Sequence, residues 1–331
     1  MKLLAVDDNP QILEVLPAIF KQANLPQVTL ANSGANALAV LEDPDQHFDV
    51  LLLDIKMPQM DGIELCQRIR RMPQYRATPI LMLTSVTDRD HIERAFAAGA
   101  HDYITKPFDV KDIVMRVRVA QRMVNRTPKV KTLDPGFVNY DTPEGVHPMR
   151  LADPVRLARV DQLILPFSLG NYLSQLSRRR LEGCNIFAVR LPDVGMLYAS
   201  AKTHEFASAL TQVVQAIAGV VDCPRLLMAY QGNGTFVCIT QCEEAPAWPE
   251  VEELVQDRLN EDARLLENGW PMGLNVAIGN PISPNASSNQ RVKKTFDRAV
   301  ERAVHREKNK SKQAFQTRQM AYDYDMEMQV S

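Results

Sequence analysis

The chain has 331 residues, 45% of them hydrophobic and 24% charged, with a formal net charge of −2. That is ordinary globular composition, long enough for two domains with separate cores. The near-neutral balance excludes a global polyanion binder, and the lack of any apolar run of about 18 residues excludes a membrane-spanning helix. Five scattered cysteines, Cys66, Cys184, Cys223, Cys238 and Cys242, argue against a disulfide framework and for a reducing compartment. Cys238 and Cys242 stand four apart, but no second Cys/His pair completes a metal site. Asp7 and Asp8 come too soon for a secretory leader, so the cytoplasm is the expected location.

The first 126 residues alternate between strand and helix. Leu3–Val6 is a short apolar run ending on acids, Ile12–Ala23 has helical spacing, Val28–Ala31 is a strand and Ala35–Leu41 a helix. Val50–Leu53 is a second apolar run, closed by Asp54, and Ile63–Arg71 is helical. Pro79–Leu83 reads as a buried strand ending at Thr84. Asp90–Ala98 is helical, Asp102–Ile104 a strand and Val110–Arg126 a long helix. Continuous apolar strands alternating with helices predict an α/β domain with a parallel sheet covered on both faces.

Residues 127–150 carry four prolines and two glycines without a sustained period and read as a linker. A second α/β unit is expected over 151–312. Ile186–Leu191 reads as a strand, and Phe206, Leu210, Val213, Val214 and Ile217 mark one face of a helix. Arg225–Tyr230 and Phe236–Thr240 flank a Gly-Asn-Gly turn, which predicts a hairpin. A helix from Val251 to Leu266, a strand Leu274–Ile278 and a helix over 291–305 follow, and residues 313–331 read as a loosely ordered tail.

In an open parallel sheet, ligands collect at the carboxyl ends of the strands. Asp7 and Asp8 follow the first strand, Asp54 the third, Thr84 and Ser85 the fourth, and Lys106 the fifth. Three crowded carboxylates repel one another and invite a hard divalent cation such as Mg²⁺. Asp8 and Asp54 would be direct ligands, the carbonyl of Lys56 a third, and Asp7 an outer-shell group. Asp54 can attack phosphorus as an aspartyl nucleophile. Lys106 would neutralise one phosphoryl oxygen and Thr84 would hydrogen-bond another.

The segments Val6-Asp7-Asp8, Leu53-Asp54-Ile55-Lys56-Met57-Pro58-Gln59-Met60-Asp61-Gly62, Leu83-Thr84-Ser85 and Gly99–Phe108 resemble response-regulator receiver domains over about 120 residues. The resemblance implies a flavodoxin-like fold with strand order 2-1-3-4-5 and a cis Lys106–Pro107 peptide. It implies phosphorylation of Asp54 by a sensor histidine kinase or phosphotransfer protein. It also implies a switch in which Thr84 swings toward the phosphoryl group and Tyr103 turns inward, remodelling the face made by residues 90–98 and 110–126.

The stretch Met228–Thr240 resembles the signature hairpin of GGDEF diguanylate cyclases, with Gly232, Asn233, Gly234, Thr235 and Phe236 standing where Gly-Gly-Asp/Glu-Glu-Phe would be. Asn275–Gly279 and Phe296–Ala303 are similar to that family's later strand and closing helix. The resemblance implies a nucleotide-cyclase-like fold over residues 151–312. Cyclisation of GTP needs metal ions held by carboxylates, yet Gly234 and Thr235 replace both hairpin acids. Arg190 or Pro192 falls where the first strand should supply another, with only Asp193 nearby, and Cys223-Pro224-Arg225-Leu226 replaces the inhibitory Arg-x-x-Asp. This domain is therefore expected to be catalytically inactive.

The expected protein is a two-component response regulator whose degenerate GGDEF output acts by binding an unnamed downstream protein. The alternatives are a sensor of GTP or cyclic di-GMP, an active diguanylate cyclase and a nucleic-acid-binding output. A homodimer through the last two receiver helices would use Arg94, Arg116 and Asp112. Residues 291–312 carry nine basic residues against three acids, which reads as a solvated helix face before it reads as a nucleic-acid site. Arg178-Arg179-Arg180 reads first as a favourable charge at a helix carboxyl end. His47, His91, His101 and His204 read as surface or cap residues.

Overall fold

The computed structural model describes residues 2–330 apart from residues 26, 86–88, 127–129, 139–141, 177–180, 182, 224, 242–246, 249 and 285–290; side chains of residues 89–90, 123–126, 291 and 314–330 are also left aside. Arg178–Arg180 and Cys242 thus lie outside the described residues. The chain divides into two compact units, Met1–Val130 with Gly170–Tyr172, and Lys131–Leu169 with Leu173–Ser331.

The first unit is built on β1 (Leu3–Val6), β2 (Val28–Ala31), β3 (Val50–Asp54), β4 (Ile80–Ser85) and β5 (Asp102–Lys106). Every pairing is parallel, in the order β2-β1-β3-β4-β5, as the resemblance implied. All four residues of β1 and all five of β3 are buried, which is why these strands read as unbroken apolar runs rather than alternating ones. Five helices connect and cover them: α1 (Pro10–Gln22), α2 (Gly34–Glu42), α3 (Gly62–Arg71), α4 (Arg89–Ala97) and α5 (Val110–Arg126). One core gathers Leu3, Ala5, Val50, Leu52, Leu81 and Ile104 from the sheet with Leu16 and Phe20 of α1 and Ile113 and Val117 of α5. Asn9 caps α1, its side chain accepting from the Gln11 amide, and Pro10 fills a position that needs no donor.

The second unit contains a four-stranded antiparallel sheet in the order β11-β8-β10-β9, from β8 (Asn185–Arg190), β9 (Leu227–Tyr230), β10 (Thr235–Thr240) and β11 (Ala277–Ile278). The helices α6 (Pro166–Gln175), α7 (Val194–Ser200), α8 (Thr203–Val221), α9 (Glu250–Glu261) and α10 (Arg291–Val330) complete the pattern. Phe206, Leu210, Val213, Val214 and Ile217 of α8 are all in the core, as their spacing predicted. β9 and β10 are joined by a tight turn and run in opposite directions, as the predicted hairpin requires.

Two expectations need correction. The stretch 127–150 is not wholly a linker. Within it β6 (Lys131–Leu133) pairs in parallel with β7 (Val155–Leu157), and Leu133 is buried. The tail beyond residue 312 continues as helix through Val330, because no glycine or proline interrupts residues 291–330. Among the described residues, no helix is long and apolar enough to cross a membrane.

Candidate functional site

Parallel register makes the site. Val6 lies opposite Leu53, Asp54 opposite Leu83, and Ser85 opposite Lys106, so the strand ends are level. Asp7, Asp54, Thr84 and Lys106 therefore meet at one edge, although a hundred residues separate the first from the last. The turn after β3 is equally constrained. Asp61 caps α3, its carboxylate accepting from the Glu64 amide at 2.7 Å. A Cβ on Gly62 would sit 2.0 Å from the Asp54 carbonyl oxygen, so only glycine lets α3 begin this close to the strand.

Lys106 Nζ lies 2.6 Å from Asp7 Oδ2 and 2.7 Å from Asp54 Oδ1. Asp7 is fully buried and also accepts from the Asn9 amide at 3.0 Å. Asp54 is 5% exposed, whereas Asp8 faces solvent. Carboxylate oxygens of Asp7, Asp8 and Asp54 lie within 4.8 Å of one another. Three carboxylates against one ammonium leave the pocket short of positive charge. Burial first, then the neighbouring Asp7 and Asp8, push the Asp54 carboxyl from its ordinary 3.8 to about 6, against the opposing pull of Lys106. Burial alone would lower the Lys106 ammonium, but Asp54 and Asp7 outweigh it and raise it.

This donor set suits a hard cation. It is all oxygen, and the exposed Asp8 has an open approach while Asp7 is already committed to Lys106 and the Asn9 amide. Lys56 lines a cavity of about 350 Å³ together with Asp8, Ile55, Met57, Pro58, Asp61 and His91. Thr84 is buried, and its hydroxyl donates to the Ser85 carbonyl at 3.2 Å. The Tyr103 ring is buried against Phe96 at a centroid distance of 6.2 Å. The Lys106–Pro107 peptide is cis.

One side chain lies elsewhere than the sequence suggested. His101 is buried, not on the surface: its Nδ1 lies 3.1 Å from Arg70 Nη2 and accepts from the Ile80 amide at 3.3 Å. His91 lines the cavity beside the carboxylates. No spacing signal could have found it, since its place depends on how α4 packs. Arg116 and Asp112 of α5 are ion-paired with each other at 2.9 Å, and Arg116 reaches Asp102 at 2.8 Å.

In the second unit the hairpin residues Gly232, Asn233, Gly234, Thr235 and Phe236 form the β9–β10 turn and the start of β10. Gly234 has φ +67°, and a Cβ there would meet Leu191 O and Val194 at 2.8 Å, so this glycine serves the turn. Register places Arg190 opposite Thr235. Its Nη1 donates to Asn233 O at 2.7 Å and Thr235 Oγ1 at 2.6 Å, and its Nε pairs with Glu307 at 2.9 Å. The Tyr230 hydroxyl accepts from the Gly234 amide at 3.1 Å, and burial pushes its pKa up to about 12. Much of the basic face of α10 is used internally. Arg306 and Lys310 pair with buried Glu252 at 2.8 and 3.2 Å, and Arg302 donates to the carbonyls of Asn280 and Pro281.

Residues 3–118 match the family described as the response regulator receiver domain. The chain is 36% identical over 142 residues to the transcriptional regulatory protein ResD of Bacillus subtilis, covering 43% of this chain and 53% of that protein. It is 35% identical over 129 residues to the DNA-binding dual master transcriptional regulator RpaA of Synechocystis, covering 39% and 52%. The chain thus spans about half the length of the curated relatives it matches. Among solved structures, the chemotaxis response regulator CheY4 of Vibrio cholerae is 34% identical, with 36% of this chain and 97% of that one covered and a TM-score of 0.34. Strand order, pocket and family match agree that residues 3–118 are a response regulator receiver domain.

Proposed function

We propose that this chain is a phosphorylation-dependent response regulator of a two-component phosphorelay, with Asp54 as its phosphoacceptor. The observation that carries the reading is the buried Asp54 at a strand end, sharing the Lys106 ammonium with Asp7 and lying within 4.8 Å of Asp7 and Asp8. The donor is a sensor histidine kinase or a phosphotransfer protein. One Asp54 oxygen bonds phosphorus as the bond from phosphorus to the donor's imidazole nitrogen breaks, and the electron pair leaves with that nitrogen. Asp8, Asp54 and the Lys56 carbonyl would hold Mg²⁺, with Asp7 supporting them through Lys106 and the Asn9 amide. Bound there, Mg²⁺ offsets the excess negative charge and draws in the phosphoryl oxygens. Lys106 neutralises one phosphoryl oxygen and Thr84 donates to another, so the protein's part is mostly positioning and charge neutralisation. The aspartyl phosphate carries about 1.5–2 negative charges in place of the carboxylate's one, and Thr84 and Tyr103 pass that change to the α4 and α5 side. The cytoplasm is the compartment we assign.

The second unit is read as a degenerate GGDEF-like output that acts by protein contact. The strand order β11-β8-β10-β9 with a tight β9–β10 hairpin supports the likeness. Arg190 across the hairpin supports the loss of cyclisation, since a guanidinium stands where carboxylates would have to gather metal. Incubation of the full chain with acetyl phosphate and Mg²⁺, followed by intact mass measurement, tests the first part. The expected gain is one phosphoryl group in wild type and none in Asp54→Ala. Incubation with GTP and Mg²⁺ tests the second: no cyclic dinucleotide is expected, and its formation would overturn the inactive reading.

A further inference from the structure

Three residues of α6, Gly170–Tyr172, belong to the first unit. They lie well past residue 118, where the receiver family match ends, so the family's fold does not account for them. Tyr172 is 1% exposed. Its hydroxyl donates to Oε1 of Glu93 on α4 at 2.9 Å, and Glu93 is itself buried. A carboxyl on an outer helix ordinarily turns to water, and one taken out of water needs a hydrogen-bond donor. Tyr172 is such a donor. Asn171 Nδ2 donates to the carbonyl of His101, the residue before β5, at 3.1 Å. The buried Phe96 ring of α4 meets Tyr172 edge-on at a centroid distance of 5.7 Å and Tyr103 of β5 edge-on at 6.2 Å. Tyr172 and Tyr103 thus pack against the same ring.

We propose that the face made by α4 and β5 is a docking surface for Asn171 and Tyr172 of this chain, and that docking there opposes phosphorylation, an inference that rests on the reading of Asp54 as phosphoacceptor. In the docked arrangement the Thr84 hydroxyl donates to the Ser85 carbonyl and Lys106 bridges Asp7 and Asp54, so neither is arranged around a phosphoryl group. Thr84 and Lys106 lie on β4 and β5, which pair from Leu81 with Asp102 to Ser85 with Lys106. A shift of both side chains toward a phosphoryl group disturbs the strand pair that carries Tyr103. Phe96 follows Tyr103 only by giving up its edge-on packing against Tyr172, since such ring pairs depend on their geometry. A contact made in one of two states biases the equilibrium against the other. The Tyr172–Glu93 bond and the Phe96 stack therefore lower the population that accepts the phosphoryl group. By reciprocity, phosphorylation loosens Asn171 and Tyr172 from the α4–β5 face.

The full chain would be incubated with acetyl phosphate and Mg²⁺, and the gain of one phosphoryl group timed by intact mass. Tyr172→Phe keeps the ring and loses only the hydroxyl. It is expected to be phosphorylated about fivefold faster than wild type, the worth of one hydrogen bond, because the rate follows the population of the competent state. Tyr172→Ala, which loses the ring stack as well, should be faster still. A Tyr172 that only fills a core would lower the thermal unfolding midpoint and leave the rate alone. Rates in Tyr172→Phe equal to or below that of wild type overturn the proposal and leave Asp54 standing. Hydrogen exchange of the α6 amides is the second readout. It should quicken about fivefold in the phosphorylated wild type and stay unchanged in Asp54→Ala treated alike. Unchanged exchange in a phosphorylated wild type overturns the proposal as well. A wild type that gains no phosphoryl group overturns the reading of Asp54, and this proposal with it.

Discussion

The two units place a cation against an analogous strand edge and reach opposite ends. In the first, Lys106 is shared by two buried carboxylates while a third lies within 4.8 Å, so the site lacks positive charge and attracts more. In the second, Arg190 meets a carbonyl, a hydroxyl and one carboxylate, so its charge and donors are answered within the fold. A site left short of countercharge is equipped to bind and react, whereas a site that satisfies itself is a structural staple. Asp54, with its raised pKa, belongs to the first kind, and Arg190 at the hairpin to the second.

The largest effect that could break this contrast is on reactivity. Lys106→Ala should slow phosphorylation by acetyl phosphate about a hundredfold, because a preorganised charge that meets the transferring group is lost; mass spectrometry at timed intervals measures it. Thr84→Ala should cost less. Phosphorylation should also fall as pH drops through about 6, since protonation removes the nucleophilic form of Asp54, and a pH–rate series with saturating Mg²⁺ should move that fall to lower pH.

Stability gives the next contrast, with its sign fixed by linkage. Asp54 has a folded pKa of about 6, above its ordinary 3.8, so its contribution to stability is fully present below the lower value and is lost as pH rises through about 6. Asp54→Asn should therefore be more stable than wild type at pH 7.5 in chelator, by about 1–3 kcal/mol, with the gain gone by about pH 4. Chemical denaturation at the two pH values checks this. In the second unit the sign reverses. Burial alone would raise the Glu252 carboxyl, but Arg306, the Ile278 amide and Lys310 outweigh it and hold it below the usual range. Glu252→Gln should thus destabilise the protein by about 1–3 kcal/mol at pH 7.5, and by less in acid. Arg190→Ala should cost about 1 kcal/mol of stability and create no cyclase activity.

Much of the first unit was legible in the sequence because β1, β3 and β4 are continuous apolar runs that lead straight into the polar residues of the pocket. Val50–Asp54 shows this: four apolar residues, then a carboxylate. Local signals also marked the β9–β10 hairpin, whose Gly-Asn-Gly turn admits positive φ at all three positions. What escaped depended on contacts distant in sequence. β6 exists only because three residues pair with Val155–Leu157. His101 became a core residue through Arg70 and the Ile80 amide. Arg190 was visible as a departure from a motif, but its bonds needed the register of β8 on β10.

The most direct test of Asp54 as the reactive carboxylate is chemical trapping. Phosphorylating the full chain with acetyl phosphate and Mg²⁺, reducing it with borohydride and mapping the peptides reports which aspartate carried the phosphoryl group. The account predicts homoserine at position 54 and nowhere else. Reduction at Asp7 or Asp8, or a phosphorylated chain with position 54 untouched, would contradict it.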